Sequence, residues 1–84
     1  MEPTTISVSA VPLLLDALGG AGNCINVEAV GERMSLKLKD ASVVDETRVR
    51  HAGFRGIADL GQNRVQVLAD GDASILAVEL SSLL

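Results

Sequence analysis

The sequence predicts an α+β fold: a two-layer sandwich in which a four-stranded antiparallel sheet carries three helices on one face, in the order α-β-β-α-β-β-α. Three observations predict it. The apolar residues change period along the chain, from helical spacing to strict alternation and back, twice over. Each pair of alternating runs is joined by turn-forming residues, the signature of an antiparallel hairpin. The length, 84 residues, suffices for one small core and not for two.

Residues 1–10 read as an N-terminal arm and 11–84 as the domain, because MEPTTISVS is short, β-branched and proline-containing. The first helix is expected over about residues 11–18. Pro12 suits a first helical turn, Ser9 is a candidate cap, Leu14, Leu15 and Leu18 share a stripe, and Gly19-Gly20 stops the helix. In CINVEAV the period becomes two: Ile25, Val27 and Ala29 on one face, Asn26, Glu28 and Val30 on the other. After Gly31-Glu32 the run RMSLKLK alternates strictly, with Met34, Leu36 and Leu38 opposed to Arg33, Ser35, Lys37 and Lys39. Val30 is the misfit, an apolar residue on the polar side.

Ser42 with Asp45 resembles a capping box, Val44, Val49 and Ala52 give an inward stripe, and Gly53 ends the second helix. FRGIADL and RVQVLA are strands about the turn Gly61-Gln62-Asn63. Asp70-Gly71-Asp72 opens a last helix lined by Leu76, Leu80 and Leu83, with Ile75 and Leu84 beside them. No solenoid repeat and no low-complexity segment interrupts this order.

Composition excludes several functions. Phe54 is the only aromatic residue, so the chain cannot build a base-stacking surface or an aromatic cofactor platform, and no cofactor and no metal site are expected. A formal charge of −4 argues against general nucleic-acid binding. Cys24, the sole cysteine, permits no internal disulfide and suggests a reducing compartment. No apolar run approaches membrane-spanning length, so a cytoplasmic location without membrane insertion is expected. Oligomeric state is not fixed by the sequence. The glycine-rich GGAG lacks the G-K-[ST] ending of a phosphate loop and reads as a helix stop.

The order of elements and the residues at its punctuation points resemble the B domain (EIIB) of the glucose-family sugar permeases of the bacterial phosphotransferase system, from about Val11 to Leu83. The family ends its first helix in a glycine pair with an asparagine shortly after, here Gly19, Gly20 and Asn23. It continues N-[LV]-[DE]-A-C-x-T-R-L-R, against which Asn26 to Ser35 align without a gap as N-V-E-A-V-G-E-R-M-S. Lys39-Asp40, Val44-Asp45, Gly56-Ile57, Val65-Gln66 and Gly71 fall at further family positions. The resemblance implies a cytoplasmic module at the inner face of the membrane, working with A, B or membrane C domains on a sugar such as glucose or N-acetylglucosamine.

In the family the hairpin cysteine takes a phosphoryl group and passes it to the sugar, with a threonine and two arginines helping. The resemblance sets that cysteine against Val30, the threonine against Glu32 and the second arginine against Ser35, while Arg33 and Gln66 match. Valine offers no atom that can hold phosphorus. Glu32 would set a negative charge beside a phosphoryl group, and a like-charge contact at about 4 Å and a dielectric near 20 costs on the order of 4 kcal/mol. The expectation is a non-catalytic copy with no catalytic residue, in which Arg33, Gln66, Glu32 and Ser35 form a binding face. Two alternatives stay open: a phosphocarrier using a non-standard residue, and an unrelated α+β interaction domain. Cys24, Ser35 and His51 are the replacement nucleophiles to weigh; Cys24 reads as a small apolar residue and His51 as a solvated or capping one. Lys37, Lys39, Arg48, Arg50 and Arg55 read as solvated surface.

Overall fold

The computed structural model describes residues 5–84. Residues 1–4, part of the expected arm, lie outside the described residues. The helices are α1 (Val11–Ala17), α2 (Glu46–His51) and α3 (Ser74–Ser82); the strands are β1 (Cys24–Val30), β2 (Arg33–Leu38), β3 (Gly56–Gly61) and β4 (Arg64–Leu68). The order is α1-β1-β2-α2-β3-β4-α3, as the periodicity predicts. All strands join one antiparallel sheet in the order β1-β2-β4-β3, so the two hairpins meet along β2 and β4, leaving β1 and β3 at the edges.

The helices cover one face. α3 packs on β1, α2 on β3, and α1 touches both helices. The inward rows run straight across the strands: Ala29, Met34, Val67 and Ile57 in one, Val27, Leu36, Val65 and Asp59 in the next. Leu14, Leu18, Leu76 and Leu80 meet them from the helices, all fully buried. Burying one such leucine contributes about 1.5–3 kcal/mol. Among the described residues no polar or charged side chain is buried, so the core is dry. No described helix is long and apolar enough to cross a membrane.

Local chemistry corrects several boundaries. Val8–Ala10 form a single 3-10 turn instead of an extended segment, and the Ser7 hydroxyl, not Ser9, accepts at its start: the Ser9 N–H donates at 3.2 Å. Ala10 precedes α1 without a side-chain cap, and Pro12 sits in the first turn as expected. The helix stops because Gly19 and Gly20 take φ of +102° and +89°. Asn23 then locks the next corner. Its Nδ2 donates to the carbonyls of Leu18 and Asp40, at 2.8 and 2.9 Å, and its Oδ1 accepts the Asp40 N–H at 2.9 Å.

The largest departure is in β1. The register slips between Cys24 and Asn26, so Ile25 is an extra residue in a β-bulge. The bulge turns Cys24 into the core and leaves Ile25 51% exposed, the reverse of simple alternation. In the second helix Ser42 caps nothing. Asp40 accepts from Ser42 N–H, and Asp45 caps α2 by accepting from Arg48 N–H at 3.2 Å. In α3, Leu76 and Leu80 are buried, but Leu83, Leu84 and Ile75 are exposed. The β3–β4 turn has Gln62 and Asn63 both at positive φ, +55° and +60°, the requirement of a type I′ hairpin.

Candidate functional site

Among the described residues no helix lies over the second face of the sheet. Because paired residues point to the same side, the register alone assembles this surface in three rows. The row nearest the β1–β2 turn holds Val30, Arg33, Leu68 and Gly56. The middle row holds Glu28, Ser35, Gln66 and Ala58, and the far row Asn26, Lys37, Arg64 and Gly61. The structure therefore brings Val30, Arg33, Ser35 and Gln66 together on one open face, from three different strands. Val30 is 60% exposed, directly across from Arg33.

Glu32 occupies a different place from these four. It lies in the turn, where Gly31 takes φ of +63° without strain. Its Oε1 accepts the Gly71 N–H at 3.1 Å. Two main-chain bonds run in parallel, Ala69 N–H to the Glu32 carbonyl at 2.8 Å and Ala73 N–H to the Gly31 carbonyl at 3.0 Å. The hairpin tip is thus fastened to the connection between β4 and α3, next to residue 30.

The replacement nucleophiles fare differently. Cys24 lies at the opposite end of β1 from Val30 and on the core face, and burial pushes its thiol above the ordinary value. An inward, protonated thiol cannot serve the open face. His51 is exposed near the end of α2, among the elements that cover the other side of the sheet. Ser35 is half-buried between Glu28 and Gln66, and its hydroxyl makes no hydrogen bond among the described residues.

Arg33 pairs with neither Glu28 nor Glu32: among the described residues the ion pairs are Arg48–Asp16 and Arg50–Glu46. Arg33 instead lines a surface cleft with Glu32, Arg55, Leu68 and Ala69. Arg55 is the residue that sequence reasoning missed. It enters this cleft because β3 pairs with β4 and its own N–H donates to the Leu68 carbonyl at 2.8 Å. Only the strand order reveals that; nothing in the local sequence places Arg55 beside Arg33.

Comparison with known proteins gives a consistent set of relatives. The chain is 32% identical over 80 residues to the N-acetylglucosamine-specific EIICB component of the phosphotransferase system of Bacillus subtilis, covering 95% of the chain and 18% of that protein. It is 30% identical over 74 residues to the maltose-specific EIICB component of Escherichia coli, covering 88% of the chain and 14% of that protein. It is 27% identical over 71 residues to the N-acetylglucosamine-specific EIIB component of Streptomyces coelicolor, covering 84% of the chain and 91% of that protein. The chain therefore spans less than a fifth of the two EIICB proteins and nearly the whole of the separate EIIB component. No family model matches the chain.

Proposed function

We propose that this chain, which belongs to the B domains (EIIB) of the glucose-family sugar phosphotransferase system, is a non-catalytic copy that acts by protein contact in sugar uptake or its regulation. The observation that carries the reading is the residue at the exposed corner of the open face. Valine at position 30 has no lone pair with which to attack phosphorus. Neither Cys24, buried on the other face, nor His51, on α2, stands in for it.

What the chain keeps is a docking surface. The open face retains Arg33 and Gln66, with Ser35 directly across from Gln66 and Glu32 at the rim, on a sheet backed by an apolar core. The partners proposed are the A, B or C domains of the same transport system, at the inner face of the membrane. Two relatives whose names join C to B support the C domain as one of them. The sugar they serve is of the glucose or N-acetylglucosamine type in this reading.

The test is a phosphotransfer assay with the labelled general phosphocarrier, a cognate A domain and an ordinary cysteine-bearing B domain. This chain should stay unlabelled, and in excess it should slow labelling of the ordinary domain by occupying its partner. Stable label on any residue of this chain overturns the non-catalytic reading. Absence of competition at all concentrations overturns the contact reading.

A further inference from the structure

The far row of the open face, at the opposite end from Val30, carries a pairing that the fold does not need. Lys37 on β2 and Arg64 on β4 are direct register partners, so two cations stand opposite each other. Like charges in that position destabilise a sheet. Asn26 flanks Lys37 from β1 and Gly61 flanks Arg64 from β3, so no carboxylate shares the row. Neither cation has an ion pair among the described residues, where the pairs are Arg48–Asp16 and Arg50–Glu46. Both are exposed, so neither builds the core. Gly61 also leaves the space beside Arg64 open: an added Cβ there would meet nothing within 4 Å.

The two cations line a surface cleft of about 130 Å³ together with Asn26, Glu28, Ser35 and Leu36. At ~30 Å³ for each water displaced, it holds about four waters, the room of a phosphate group with a short hydroxylated tail. Its polar groups are sorted along the strands. The cations occupy the far row, and Glu28, the only acid in the lining, stands one row nearer the hairpin tip. Glu28 is a diagonal neighbour of Lys37, about 7 Å away in a regular sheet. Ser35 sits directly across from Glu28, and its hydroxyl makes no hydrogen bond among the described residues. One end of the cleft is thus cationic, and the other offers a carboxylate and a hydroxyl.

We propose that this cleft is a binding site for a small phosphorylated polyol, a phosphate monoester whose carbon chain bears free hydroxyls. A phosphate monoester carries nearly two negative charges at neutral pH. It matches the facing pair Lys37 and Arg64 and relieves the repulsion between them. The Arg64 guanidinium binds two phosphate oxygens as a fork, and the Lys37 ammonium binds as a point charge. Glu28 sets the orientation. Its carboxylate repels the phosphate and accepts hydrogen bonds from hydroxyls, so the polyol lies toward Glu28 and Ser35, with the Asn26 amide at its side. A phosphodiester brings only one charge and a free polyol none, so each loses part of this complementarity. The site shares only Ser35 with the surface assigned to protein contact, and it stands whether or not that reading holds.

The experiment titrates the full chain by NMR at low salt with glycerol 3-phosphate, inorganic phosphate, glycerol, and vesicles of phosphatidylcholine and phosphatidylglycerol. Glycerol 3-phosphate should shift the amide signals of Asn26, Ser35, Lys37 and Arg64. It should bind about threefold tighter than inorganic phosphate, the scale of one added hydrogen bond to a charged group. Glycerol and the vesicles should leave those signals in place. Lys37→Gln and Arg64→Gln should each weaken glycerol 3-phosphate by about fivefold, the upper scale of an exposed ion pair. Glu28→Gln should strengthen inorganic phosphate and strengthen glycerol 3-phosphate less, because the better hydroxyl acceptor leaves together with the repulsion. Shifts confined to the neighbourhood of Arg33 and Arg55, or a cation substitution without effect, overturn the proposal. So do inorganic phosphate binding as tightly as glycerol 3-phosphate, vesicles that move the same signals, and equal gains in Glu28→Gln. All three substituted positions are exposed, and an unchanged spectrum of the core methyl groups confirms the fold in each variant. Labelling by the phosphocarrier would overturn the non-catalytic reading while leaving these titrations standing, and the reverse also holds.

Discussion

Installing a thiol at position 30 tests how much of a phosphoryl site the corner retains. Val30 is 60% exposed and packs little, so Val30→Cys should leave stability within about 0.5 kcal/mol. The new sulfur would face Arg33 across the strand pair and Glu32 two residues on. Charges about 7 Å apart interact by about 1 kcal/mol at a dielectric between those of water and protein surface. The two contributions are of opposite sign and nearly cancel. The thiol should titrate near the ordinary cysteine value of about 8.5. Adding Glu32→Thr and Ser35→Arg removes the repulsion and places a second cation diagonally across the hairpin. Together these are worth about 2 kcal/mol, so the pH profile of iodoacetamide alkylation should move its midpoint to about 7. Cys24, buried and protonated, contributes a slow background that the unsubstituted chain measures directly. Only the triple variant should accept label efficiently from the phosphorylated A domain. A Val30→Cys chain whose midpoint already lies near 7, or a triple variant that leaves it near 8.5, would refute the electrostatic argument.

Two further outcomes follow from the scaffold. Gly19→Ala should destabilise the chain by about 2 kcal/mol or more, read as a lower urea midpoint, because φ is +102° and the added Cβ would lie 2.7 Å from Val43 Cγ2. Stability should also fall in acid through Asp40 and Asp72. The Ser42 hydroxyl and N–H hold the Asp40 carboxyl below the usual range, and the Ser74 N–H does the same for Asp72. A carboxyl with a lower pKa in the folded state contributes stability that is present above its unfolded value near 4 and is lost as pH falls through its folded value. Ser42→Ala should flatten that dependence in melting curves taken from pH 7 to pH 2, and an unchanged slope counts against it.

The sequence announces the fold wherever one local rule acts alone. Strict alternation in RMSLKLK places Met34, Leu36 and Leu38 inward, and all are buried. The stop at Gly19-Gly20 and the turn at Gln62-Asn63 rest on backbone conformations that those residues favour or tolerate. It misleads where a non-local event intervenes. The bulge at Ile25 exchanges the faces of Cys24 and Ile25, and no local signal marks it, since both are apolar and both fit a strand. Asp40 and Asp45 take the capping roles, and Ser42 lies inside the 3-10 turn Ala41–Val43 that separates them. The candidate site follows the same division. Val30, Arg33 and Ser35 share a face through hairpin periodicity, which the sequence displays. Arg55 joins them only through the β2–β4–β3 pairing, which is a property of the sheet order.

Glu32 is where the scaffold and the site meet, and its two roles can be separated. The side chains of the open face do not build the core, so residues such as Val30 can change with little effect on the fold. Glu32 is different. Its Oε1 satisfies the N–H of buried Gly71, so removing it leaves that donor without its partner. Its charge is a separate matter, acting on the cleft it shares with Arg33 and Arg55. Glutamine keeps an acceptor oxygen at the same reach and loses only the charge. Glu32→Ala should therefore cost about 1 kcal/mol in urea unfolding and loosen hydrogen-exchange protection at Gly71. Glu32→Gln should cost little of either while changing anion affinity at the cleft. If both substitutions destabilise the chain equally, the carboxylate charge, and not the oxygen that accepts from Gly71, is what holds the hairpin tip.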